Sequence, residues 1–168
     1  MKKWQYGIAI LTCIMIQVFL ASACNGCELC NGEDKTIACL KANFNALYRL
    51  EYKRFWEILK LSEKKAINCK MLSDTASFME LANLDSHNAE FNEYYNEVIE
   101  NLLKTKTTCF LDTLSLLAKP QMIAVINKLK HPIFTDRSEI QRLFEREKKN
   151  NVGKYSEVMK LFFEEHAK

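Results

Sequence analysis

IACLKANFNALYRLEYKRFWEIL, residues 37–59, decides the fold class. Ile37, Leu40, Phe44, Tyr48, Tyr52, Phe55 and Leu59 recur at intervals of three and four. That spacing stacks side chains on one face of an α-helix and would scatter them over both faces of a strand. Leu47 and Ile58 widen the face, and Leu50, Trp56 and Leu61 fall further round. An arc this broad exceeds what packing on one side uses. The stretch predicts a central helix touched from several directions, with Asp34 as its N-cap.

Turn residues support the same reading outward from this segment. Residues 33–119 contain neither glycine nor proline, and beyond them stand only Pro120, Pro132 and Gly153. An all-β chain needs such residues at every turn. Ser62 and Glu63 can restart a helix through Cys69 to Leu72, and a short one follows Ser73 with Phe78, Met79 and Leu81. Asp85 or Ser86 opens a strong helix striped by Phe91, Tyr94, Tyr95, Val98, Leu102 and Leu103. Thr107 or Thr108 can cap the next, which carries Phe110, Leu111, Leu114 and Leu117. Pro120 suits a helical first turn, because a proline there lacks only an N–H that would be unpaired anyway. His131 before Pro132 ends that helix. Asp136 and Glu139 have capping-box spacing. Residues 150–153 break the chain again, and a last helix is expected over 155–166. The predicted fold is all-α: a compact bundle of six or seven short helices around a longer central one, supported by disulfides.

The ends set the organisation. Lys2 and Lys3 precede an apolar run over residues 7–20, interrupted only by Thr12 and Gln17, and then Ala21, Ser22 and Ala23. A basic start, an apolar stretch too short for a full membrane span and small residues at the cut describe a secretion signal. Residues 1–23 are therefore expected to be a signal peptide. Residues 24–34, poor in apolar side chains and holding Gly26 and Gly32, read as a flexible tether, and residues 35–168 as a single helical domain.

LASAC, residues 20–24, resembles the export signal of bacterial lipoproteins, in which small residues precede a cysteine that is acylated. Leu20 stands one place earlier than the family pattern sets it. The resemblance covers the leader only and implies lipid, palmitate among its acyl chains, on Cys24. It implies a cell-envelope protein held to a membrane.

The other cysteines read as structural. Cys24, Cys27 and Cys30 with Cys39 could supply four zinc ligands, but an exported chain meets oxidising conditions that favour disulfides. A thioredoxin-like motif needs a strand before it, and a c-type haem needs histidine where Asn31 and Glu28 stand. Cys69 and Cys109 are the best pair, each near a helix end, and Cys39 could meet Cys27 or Cys30. If Cys24 is acylated, five exported cysteines remain and one is left over.

Chemistry is sparse. The charge balance is 24 basic against 21 acidic residues, and two of the basic ones lie in the leader, so no nucleic-acid footprint is present. His87 has Glu90, Glu93 and Glu97 downstream, but di-iron bundles place the carboxylate before the histidine and repeat the motif. His131 sits at a helix end and His166 near the terminus. No Gly-x-Ser-x-Gly elbow or phosphate loop occurs. The mixed charges of residues 142–149 read as a solvated helix face. On the last helix, Tyr155, Val158, Met159 and Phe162 form a stripe, and Leu161 and Phe163 flank it. Those flanks are either packed into a groove or exposed as an interaction surface.

These features predict an exported, lipid-anchored envelope protein acting as a non-enzymatic binding module. It would need no cofactor, metal, nucleic acid or small-molecule substrate, and its partner would be an envelope or secreted protein. The alternatives are a soluble periplasmic or secreted helical protein, inhibitor-like, or an exported hydrolase whose site assembles only on folding. A binder predicts an exposed apolar patch, and an enzyme predicts a cleft with converging His87 or acids and perturbed ionisation.

Overall fold

The first departure from a single central helix comes at Asn43. In the computed structural model, which describes residues 36–84 and 87–164, the segment forms three helices. They are α1 (Ile37–Ala42), α2 (Phe44–Leu50) and α3 (Tyr52–Asn68). Asn43 (φ −125°, ψ 24°) and Glu51 (φ −132°, ψ 50°) leave helical geometry at the two joints. The Cys39 carbonyl accepts from both the backbone N–H of Asn43, at 3.0 Å, and its side-chain amide, at 3.2 Å, which closes the end of α1. These bends account for the broad apolar arc. The chain wraps its Leu40, Phe44, Leu47, Phe55, Ile58 and Leu59 side chains onto one core instead of burying a straight rod from all sides. Phe44 meets Phe55 and Phe91 edge-on, with ring centroids 5.1 and 4.7 Å apart, an arrangement that suits the ring quadrupoles.

Asp34 lies outside the described residues, and α1 is capped by Thr36, whose hydroxyl accepts from the Cys39 amide at 3.3 Å. Ser62 does not start a new helix. It lies inside α3 and its hydroxyl donates to the Ile58 carbonyl at 2.8 Å, the backward bond that lets serine sit mid-helix. α3 ends instead at Cys69, in the left-handed region at φ 52°. α4 (Leu72–Met79) follows, with a 3-10 turn at Glu80–Asn83. Thr75 of α4 donates to the Ala66 carbonyl at 3.0 Å and locks the corner.

α5 (Ala89–Thr105) contributes the largest set of buried side chains, hiding Phe91, Tyr95, Asn96, Val98, Ile99, Glu100, Leu102 and Leu103. Its cap is Asn88, whose side chain accepts from the Phe91 amide at 3.0 Å; Asp85 and Ser86, expected in that role, lie outside the described residues. Tyr95 is fully buried, and its hydroxyl donates to the Met79 carbonyl at 2.8 Å.

α6 (Thr107–Leu114) is not capped by a threonine, because the Thr107 hydroxyl donates backward to Leu103 O. α7 (Lys119–Lys130) carries Pro120 in its first turn and ends at His131. α8 (Arg137–Asn150) starts after Asp136, but the expected reciprocal side-chain cap does not form; the Glu139 amide bonds the Asp136 carbonyl instead, at 2.9 Å. α9 (Ser156–Phe163) is shorter than expected, and His166 lies outside the described residues. Tyr155, at its entry, donates to Asp112 at 2.7 Å, and Lys154 pairs with the same carboxylate at 2.7 Å, which ties α9 to α6.

Nine α-helices are present among the described residues, and no strand. Six of them follow the segment that was expected to form the central helix, in keeping with the expected six or seven around it, and that segment itself supplies the other three. The all-α bundle itself stands, with the disulfide support expected of it. Cys69 and Cys109 are bonded, their Cα atoms 6.3 Å apart. Cys24, Cys27 and Cys30 lie outside the described residues, and so does any pairing of Cys39 with them. No helix among the described residues is long and apolar enough to cross a membrane.

Candidate functional site

Two exposed helix faces converge on a cleft. On α3, Tyr52, Trp56 and Lys60 stand at i, i+4 and i+8, with Lys53 and Glu57 beside them. On α5, Glu90, Glu93, Tyr94 and Glu97 share one face by the same periodicity. These residues and Phe134 line a cavity of about 820 Å³.

Phe134 is there because of a buried acid. Glu100, only 2% exposed, sends its carboxylate to the loop after α7. It accepts from the Ile133 amide at 2.8 Å and from the Phe134 amide at 3.0 Å. Hydrogen bonds to an ionised acceptor are the stronger kind. This pair fixes a loop whose own side chains point outward, Ile133 at 54% and Phe134 at 53% exposure.

The tyrosines are held as donors. Tyr48 gives its hydroxyl to Glu90 at 2.7 Å, and Tyr52 bonds the other oxygen of the same carboxylate. Tyr94 donates to Glu63. Donation to Glu90 raises the pKa of Tyr48 and Tyr52. Burial, then the bond to Glu63, raises that of Tyr94. The three hydroxyls therefore stay protonated at neutral pH, each serving to fix an acid and a ring. The rings present differently oriented faces. Trp56 and Tyr94 are 5.1 Å apart at 82°, and Trp56 and Tyr52 6.1 Å apart at 69°.

The site mixes the features expected of a binder and of an enzyme. A cleft exists and acids converge on it, but the perturbed groups lining it are tyrosines, and His87 is not among its walls. Among the described residues no group of three or more His, Cys, Asp or Glu side chains is set to hold a metal ion. What the arrangement can do is recognise: the exposed aromatic side chains Tyr52 and Phe134 stand among carboxylates.

The sequence-predicted interaction surface divides. Leu161 is 7% exposed and packs inward, so it offers no docking face. Phe163 is 36% exposed and lies against Phe162, whose ring stacks on Phe144 at 3.9 Å. Phe163 lines a second groove of about 990 Å³ with Val152, Met159 and the lysines 148, 149 and 160. The last helix thus mainly fills the core, and neither Leu161 nor Phe163 lines the α3–α5 cleft.

The cleft residues escaped the sequence reading because Tyr52, Trp56 and Tyr94 sit on stripes that read as core. The available signal was their interleaving with Lys53, Glu57, Lys60, Glu93 and Glu97, charges a buried face would not carry. Nothing local marks Glu100 as the support of a loop 33 residues downstream.

No family model matches the chain, and neither a curated protein nor a solved structure matches it.

Proposed function

We propose that this is an exported, lipid-anchored cell-envelope protein acting as a non-enzymatic binding module, with the cleft between α3 and α5 as its working surface. The lipid-bearing residue is Cys24. The leader over residues 1–23 supports export, and the Cys69–Cys109 bond agrees with an oxidising compartment. The observation that carries the binding role is the exposure of Tyr52 and Phe134 on a cleft where Tyr48 and Tyr52 already fasten Glu90. Exposed aromatic surface costs solubility and is characteristic of interaction sites. Glu90, with both oxygens occupied by tyrosine hydroxyls, is poorly placed to shuttle protons.

Photo-crosslinking tests this directly. A photoreactive residue at position 134 of the exported protein, activated in cells, should trap a defined partner. The same residue at Leu116, which is exposed and away from the cleft lining, should not. Equal trapping at both positions, or none at 134, would remove the cleft from the account.

A further inference from the structure

The chemistry of the cleft names its occupant. The geometry points to a cationic segment of a partner protein, one carrying at least two arginine or lysine side chains, laid along the α5 wall; this rests on the reading of the cleft as the binding surface. Three observations converge. Tyr52, Trp56 and Tyr94 line the cleft with their rings at steep angles to one another, so a cation that enters is bordered by aromatic side chains. Arg and Lys are drawn to aromatic faces, most strongly to tryptophan. Glu93 and Glu97 are exposed and one helical turn apart on the α5 wall, so their charge is available to an incoming group. They lie beside Glu90, already bonded to Tyr48 and Tyr52.

The row also argues for a segment over a small cation. From Glu90 to Glu97 the wall runs about 10 Å at helical rise. A lone ammonium group would use one carboxylate, while side chains two residues apart on an extended chain, roughly 7 Å, can reach both Glu93 and Glu97. The opposite lip carries Lys53 and Lys60 with a single acid, Glu57, so the α5 wall is the more acidic side of the cleft. Phe134, fixed by Glu100, offers the segment an apolar contact at the rim.

The test uses the full chain and calorimetric titration with a blocked Gly/Ser nonapeptide carrying two arginines two residues apart. Its control peptide carries glutamates in their place, and choline serves as the small cation. The arginine peptide should bind, weaken as salt rises, and lose about tenfold in affinity with Glu93→Gln/Glu97→Gln. Both sites are solvent-exposed, so the variant should keep its melting temperature. Equal binding of the glutamate peptide, no binding of the arginine peptide, or an affinity untouched by the double variant would overturn the proposal. So would choline binding as tightly as the peptide, which would make the cleft a small-ammonium site. Crosslinking from position 134 separates the two levels. An adduct on a partner segment without basic residues overturns the cationic assignment alone, whereas no adduct overturns the cleft as a binding surface.

Discussion

Glu100 holds a position that no pattern of residue types would assign it. Glu100 is a buried acid whose two oxygens are taken by backbone amides of another element. Glu100→Ala should cost about 2–4 kcal/mol, because it abandons two charge-assisted bonds in a buried place. Glu100→Gln should cost less, since one acceptor survives. Chemical denaturation reads both, and faster amide exchange at Ile133 and Phe134 should accompany the alanine variant. Tyr95 behaves as a buried neutral group, with its ionisation pushed well above 10 by burial, and Tyr94 is raised too, by burial and by Glu63. In the unfolded chain both lose their protons near pH 10 while the folded protein keeps them, so the folded state binds more protons. Their contribution is therefore complete below pH 10 and lost as pH rises above it. A thermal melt across pH 7–11 should stay level in this respect to near pH 10 and then fall, less steeply in Tyr95→Phe.

At the scale of elements, the helical repeat was legible, but the joints were not. Spacing of apolar residues reports a face; it does not report whether the axis bends, and Asn43 and Glu51 are not helix breakers by composition. Starts were misplaced for a related reason. Ser62 and Thr107 have the chemistry of caps, but each spends its hydroxyl on a carbonyl one turn back. The Cys69–Cys109 pair was readable because both cysteines sit near helix ends, and it closes a separation of 40 residues. Cys69→Ala/Cys109→Ala should destabilise the fold by roughly 4 kcal/mol in the chain-entropy account. Cys69 also occupies the left-handed position that glycine favours. Against a Cys109→Ala background, Cys69→Gly should then be more stable than Cys69→Ala by roughly 1 kcal/mol. The last helix gives a sharper contrast. Phe162→Ala, which unstacks the ring from Phe144, should cost about 3–5 kcal/mol. Phe163→Ser, at a partly exposed site over which Lys148 lies at 5.1 Å, should cost about 1 kcal/mol. Equal losses would mean that Phe163 is core after all.

For the molecule as a whole, fold class followed from local pattern, and the candidate site did not. An all-α bundle needs only the repeat and the scarcity of glycine and proline. The cleft requires α3 to be brought against α5, and a loop held by Glu100 at its edge, juxtapositions made by tertiary packing. The export reading is independent of both. Cells grown with labelled palmitate should label the wild-type protein and not Cys24→Ser, and a mature wild-type protein of unmodified mass would remove the lipid and leave export standing. The claim that organises the rest is that the α3–α5 cleft binds a cationic segment. Amide NMR mapping during titration with the two-arginine peptide tests it most directly. Shifts should gather at residues 52–60, 90–97 and 133–134 and disappear in Glu93→Gln/Glu97→Gln. Shifts centred on the Val152–Phe163 groove, or spread evenly over the surface, would contradict it.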